Sequence, residues 1–210
     1  MITCFDKLNL AKFSEIQQIV KEGGDWQEMN LRIVSVLSDI SAEELLQMPI
    51  SEVSKLAMHA RFLDAPIGVE KIARHYKVGK VELIPSVDVS KFTTAQYVDF
   101  LQFMTALDDN QVGILSCILI PKGKKYNVDY DIEDVKKLIA ENISVTTSTS
   151  LFTFFLVRLR SLIIDSLISS EETIKDLQPR TKEEKKKKEQ AEKEVAQALH
   201  LLGLGGGSPA

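Results

Sequence analysis

The chain has 210 residues, 44% of them hydrophobic, enough to bury a real core as one domain or two small ones. Its 26 basic and 30 acidic side chains are well mixed and leave a formal charge of −4, so no global field draws it toward nucleic acid or an anionic membrane. Cys4 and Cys117 lie in apolar contexts, neither with a second cysteine or a histidine at metal-ligand spacing, and a reducing compartment fits best.

The start, Met1-Ile-Thr-Cys-Phe-Asp-Lys7, has no basic region followed by an apolar stretch and cleavage site, so no signal peptide is expected. Ile2 to Leu10 alternates loosely and is expected as a strand. Ala11 to Lys21 then sets Phe13, Ile16, Ile19 and Val20 at helical spacing before Gly23-Gly24 stops it. Asp25 is placed to cap a second helix with Trp26, Met29, Ile33, Val34 and Leu37 on one core-facing side. Ser41-Ala-Glu-Glu44 is a capping box whose short helix ends near Pro49, and Ser51 is expected to cap another with Val53, Leu56, Ala57, Ala60 and Leu63 aligned.

Past Pro66, Ile72 to Val78 and Lys80 to Ile84 alternate around Gly79, predicting a small β-ribbon. Thr93 or Thr94 caps a helix over Ala95 to Leu107, which Asp108-Asp-Asn110 breaks. Val112 to Ile120 is apolar nearly throughout; periodicity does not separate helix from strand there, helix is preferred, and Pro121-Lys-Gly123 ends it. Asp131 caps a helix to Ala140. A long apolar helix is expected to begin after the hydroxyl cluster Ser144 to Ser150, to stay apolar to Ile168 and to end at Pro179.

Leu151 to Ile168 has about the length of a membrane span, but Arg158, Arg160 and Asp165 each cost roughly 2.5–3.5 kcal/mol at a bilayer centre, which argues against one. At about 100° per residue, Phe152, Phe155, Leu156, Leu159, Leu162, Ile163 and Leu167 share one sector, with Arg158 and Asp165 opposite. This sector is read as a core face, part of which binds apolar helices of a partner or a second copy. Beyond Pro179 the composition turns to Lys and Glu, with a narrow stripe of Ala191, Val195, Ala198, Leu199 and Leu202 and i, i+4 pairs Glu184/Lys188 and Glu189/Lys193. Gly203 ends that helix, and the remainder to Ala210 is expected to be flexible. The fold class is therefore mainly α: a bundle of short helices over 1–177 with a β-ribbon near 72–84, and a charged helical or disordered tail over 178–210.

Sites of known chemistry are not found. Lys185 to Lys188 is flanked by Glu183, Glu184, Glu189, Glu192 and Glu194, which cancel most of the field that phosphate binding needs. Lys122-Gly-Lys-Lys125 lacks the glycines and following helix of a phosphate loop, and Asp129 to Asp134 starts like a calcium loop but holds Asp134 and Ala140 where glycine and glutamate are required. His59, His75 and His200 are scattered. No catalytic residue, metal ligand or cofactor is nominated.

The segment Leu31-Arg-Ile-Val-Ser-Val-Leu-Ser-Asp-Ile-Ser-Ala-Glu-Glu-Leu-Leu-Gln-Met-Pro-Ile50, with the helix after it ending in Phe62-Leu63, resembles tail-assembly chaperones of long-tailed bacteriophages. Phe92 to Phe100 and Ile114 to Tyr126 look like phage and prophage proteins of the same role. The resemblance implies a non-catalytic factor of the host cytoplasm that coats the apolar tape-measure protein and recruits tail-tube subunits, without nucleic acid, membrane or cofactor. A virion structural protein, such as a connector or internal protein, and a small regulatory protein using the lysine run are the alternatives.

Overall fold

The computed structural model describes residues 1–105, 110–176 and 182–201, and the chain divides into two compact units, Met1–Phe154 and Phe155–Ala210. The first unit opens with a 3₁₀ turn, Phe5–Lys7, and not with the expected strand. Phe5 and Leu8, three residues apart, are both buried, which suits a tight turn better than alternation. Pairing is confined to one bridge between Asn9 and Ser144, because no longer strand lies alongside.

Helix α1 (Leu10–Glu22) is capped by Asn9, whose side chain accepts from the Lys12 amide, and it stops at Gly23 with φ +67°. Helix α2 (Trp26–Ser38) is capped by Asp25, accepting from the Gln27 and Glu28 amides, and buries Ile33, Val34 and Leu37. Trp26, expected in the core, is 71% exposed. The Ser41–Glu44 capping box opens α3 (Ala42–Gln47) as expected. Helix α4 (Ile50–His59) starts before Ser51: Pro49 stands at its N-cap, and the Pro49 carbonyl accepts from the Glu52 and Val53 amides. Proline has no amide to leave unsatisfied at that end.

The ribbon forms between β1 (Tyr76–Val78) and β2 (Val81–Pro85), with Val78 opposite Val81 across Gly79 at φ +57°. It is shorter than expected because residues before Tyr76 make other bonds: the Ala73 amide donates to the Tyr76 hydroxyl, and the Glu70 amide to Ser150. Thr93 and Gln96 form a second capping box at α5 (Thr94–Met104). The expected break at Asp108 and Asp109 lies outside the described residues.

The apolar run splits. Helix α6 (Gln111–Ile118) takes most of it, and β3 (Leu119–Pro121) joins the edge of β2 antiparallel, pairing Ile120 with Ile84. Gly113 to Ile118 are buried without exception, so α6 is a core helix with no wet face. Asp131 caps α7 (Ile132–Asn142), which buries Val135 and Ile139. The core of this unit runs through Leu8, Ile19, Leu37, Leu83, Leu115, Ile139 and Leu151.

Helix α8 (Val145–Asp176) begins inside the hydroxyl cluster, directly after Ser144, and not beyond Ser150. Ser144 accepts from the Thr147 amide as a cap, Thr146 donates to Asp6, and Ser150 donates to the Thr146 carbonyl while accepting from Glu70. With their hydroxyls satisfied, Thr146 and Ser150 are buried as readily as apolar residues, and Ser148 between them is buried too. In the second unit, α9 (Lys182–Leu201) is the expected charged helix. Its half-buried residues are Lys188, Ala191, Glu192, Val195 and Ala198, and Lys188 pairs with Glu192. The side chain of Leu199, all of Leu202 and the expected ends at Pro179 and Gly203 lie outside the described residues.

Candidate functional site

A cleft of about 1070 Å³ opens in the first unit between α1, α2 and α4. Phe13, Ile16 and Val20 line it from α1, Trp26, Met29 and Ile33 from α2, and Ala57 and Met58 from α4. Its floor is buried at Ile16 and Ile33, whereas its lips are apolar and wet: Val20 is 55%, Trp26 71% and Met58 61% exposed. Helix α4 explains the opening. Val53, Leu56, Ala57 and Ala60 line up on one face as expected, yet all are half-buried and α4 buries no residue completely.

Polar groups sit at the rim: Gln17 and Lys21 on α1, Asn30 on α2, Arg61 and Asp64 after α4. Two ion pairs hold α1 against α2, Lys12 to Asp39 at 2.5 Å and Arg32 to Glu22 at 2.8 Å. The hydrogen bond from Arg32, with a second from Gln18, lowers the Glu22 carboxyl below its ordinary range. The cleft is thus preformed, with a hydrophobic floor and neutral to mixed charge around it.

The proposed partner face of α8 is unevenly available. Phe155 is fully buried, Phe152, Leu156, Leu159 and Leu167 are half-buried, and Leu162 and Ile163 are exposed at 37% and 43%. Of the charged-tail stripe, Val195 is half-buried on α9. The cleft was not foreseen as a site. Trp26, Met29 and Ile33 are expected as core and Met58 is given no role, and the signal that points to the cleft is the pair of small residues, Ala57 and Ala60, on the face of α4 and the turn after it.

A buried polar chain links α5, α6 and the loop before α7. Gln96 donates to the Cys117 carbonyl at 2.7 Å, Cys117 Sγ lies 3.4 Å from the Tyr126 hydroxyl, and that hydroxyl donates to Asp99 at 3.0 Å. Burial pushes the Cys117 thiol up to about 11, so it is held protonated and is a poor nucleophile at neutral pH. Burial raises Tyr126 as well, and Tyr130 to about 12. Such a network locks elements together. His75 lies beside Glu82 at 2.9 Å on the ribbon, and Lys122 after β3 reaches the same carboxylate at 2.7 Å.

Among the described residues no group of three or more His, Cys, Asp or Glu could hold a metal ion, and no helix is long and apolar enough to cross a membrane. No protein-family model, curated protein or solved structure matches the chain.

Proposed function

We propose that this chain is a non-catalytic, cytoplasmic protein-binding factor of the tail-assembly chaperone kind, which seats apolar helices of a tape-measure protein in its α1–α2–α4 cleft and recruits tail-tube subunits. The cleft carries this proposal. Single exposed apolar side chains are ordinary on any surface, but Val20, Trp26 and Met58 gather around one concave, apolar floor, which is how a groove receives an amphipathic helix. Tryptophan is also a side chain that concentrates binding energy at interfaces.

Co-expression with a tape-measure fragment tests it. The wild-type chain is expected to keep the fragment soluble and to co-purify with it. Val20→Asp with Met58→Asp, both at exposed positions, should leave circular dichroism and Tm unchanged while weakening capture by roughly tenfold or more, about 1.4 kcal/mol per factor of ten. Undiminished capture by that double variant would remove the cleft as the seat. Finding the chain in mature particles by mass spectrometry would favour a virion structural protein instead.

A further inference from the structure

Within the second unit, α8 carries a second, largely apolar stripe beside the sector of Leu156 and Leu159, with Leu167 on the border between the two. Val157, Ser161, Ile164 and Ile168 recur at spacings of four, three and four residues, the rhythm by which one helix packs along another. Val157 is 61% and Ile168 43% exposed, Ser161 is exposed and Ile164 half-buried. Arg158 and Asp165, expected opposite the Phe155 and Leu159 sector, both border the stripe along the same edge and leave its centre to Ser161, Ile164 and Ile168.

The occupant is indicated by how the stripe maps onto its own reverse. When an identical helix is laid antiparallel, Val157 falls opposite Ile168, and Ser161 opposite Ile164, so a smaller side chain meets a larger one in every layer. In the same register Arg158 of each copy faces Asp165 of the other, giving two ion pairs related by the dyad. An isologous interface requires this self-complementarity: residue i meets j, and j meets i. Along the other edge the aliphatic stem of Arg160 lies over Leu167 of the second copy. A parallel, in-register pair also makes two dyad-related ion pairs, Arg160 to Asp165, but it leaves Arg158 opposite Thr153 and stacks Ser161 on Ser161 at the seam, so reversal of Arg158 tells the two arrangements apart.

We propose that two copies of this chain pair antiparallel through α8, with Val157, Ser161, Ile164 and Ile168 as the seam and reciprocal Arg158–Asp165 ion pairs as its register. Occupancy of the α1–α2–α4 cleft is not required, so the seam and the proposed function stand or fall separately.

Sedimentation equilibrium of the full chain at low salt is the test. The wild type should show a concentration-dependent dimer. Arg158→Asp and Asp165→Arg each set like charges face to face twice, and each should weaken dimerisation by about tenfold or more. The charge-swapped double variant should recover to within about threefold of wild type, and an equimolar mixture of the two single variants should form the heterodimer, since every facing pair is then opposite in sign. A wild type that stays monomeric at hundreds of micromolar overturns the proposal. So does a dimer indifferent to either single reversal, or one that neither the double variant nor the mixture restores. The mixture keeps the test sound against a variant that fails to fold, because misfolded chains do not rescue each other.

Discussion

Gly113 is where a single atom matters. A Cβ there would lie 2.8 Å from the Phe103 ring, closer than packed atoms approach, and the ring cannot swing freely while Lys136 sits 4.4 Å above it. Gly113→Ala is therefore expected to destabilise by about 1–3 kcal/mol despite its better helix propensity, with part of the loss recovered when Phe103 becomes leucine. Urea unfolding of the wild type, Gly113→Ala and the Gly113→Ala, Phe103→Leu double variant measures this. At Cys117 the sign of the pH effect follows from its raised thiol. The folded value of about 11 exceeds the ordinary 9.0, so on alkalinisation the unfolded chain loses the proton first. Stability from this group is complete below pH 9 and declines as pH climbs toward 11, with the raised phenol of Tyr130 adding to the fall. A Tm flat to pH 9 and dropping above it is expected, and Cys117→Ser should not flatten the curve completely.

At the scale of elements, caps were the most legible feature. Asp25, Ser41, Thr93 and Asp131 each do locally what their spacing announces, because a cap bonds to amides two or three residues away and needs no tertiary partner. What was not legible depends on distant chain. The start of α8 was placed too late since a run of Ser and Thr looks like a loop until Asp6 and Glu70 are brought to its hydroxyls. β3 was hidden in an apolar run that could end as helix or strand, and the edge of β2 decided it. The cleft escaped notice for the converse reason: periodicity shows that a helix has an apolar side, not whether its neighbours are wide enough to cover it. Ser150 ties the two lessons together. Ser150→Ala leaves the Glu70 amide without its acceptor and should cost about 1–3 kcal/mol, which Ser150→Thr should largely spare if its methyl fits. Chemical denaturation distinguishes them.

For the molecule as a whole, burial is distributed unequally between the two units. In Met1–Phe154, α6 has no exposed face and the hydroxyl-rich start of α8 is sealed. On α9, the described side chains are at best half-buried, and charged helices of this length hold their shape weakly in water. Hydrogen exchange should therefore rank α6 and the first two turns of α8 as the slowest amides and α9 among the fastest, by several orders of magnitude. Equal protection of α6 and α9 would contradict that ranking.

Trp26 is the chain's one tryptophan, and it stands 71% exposed at the lip of the cleft. Intrinsic fluorescence therefore belongs to a single place. In the free protein the indole should emit as in water and be readily quenched by acrylamide; a helix entering the cleft should shift the emission to the blue and shield it, whereas association through α8 should leave it unchanged. Two binding events on one small protein can thus be told apart in a cuvette, without a label, by the colour of one side chain.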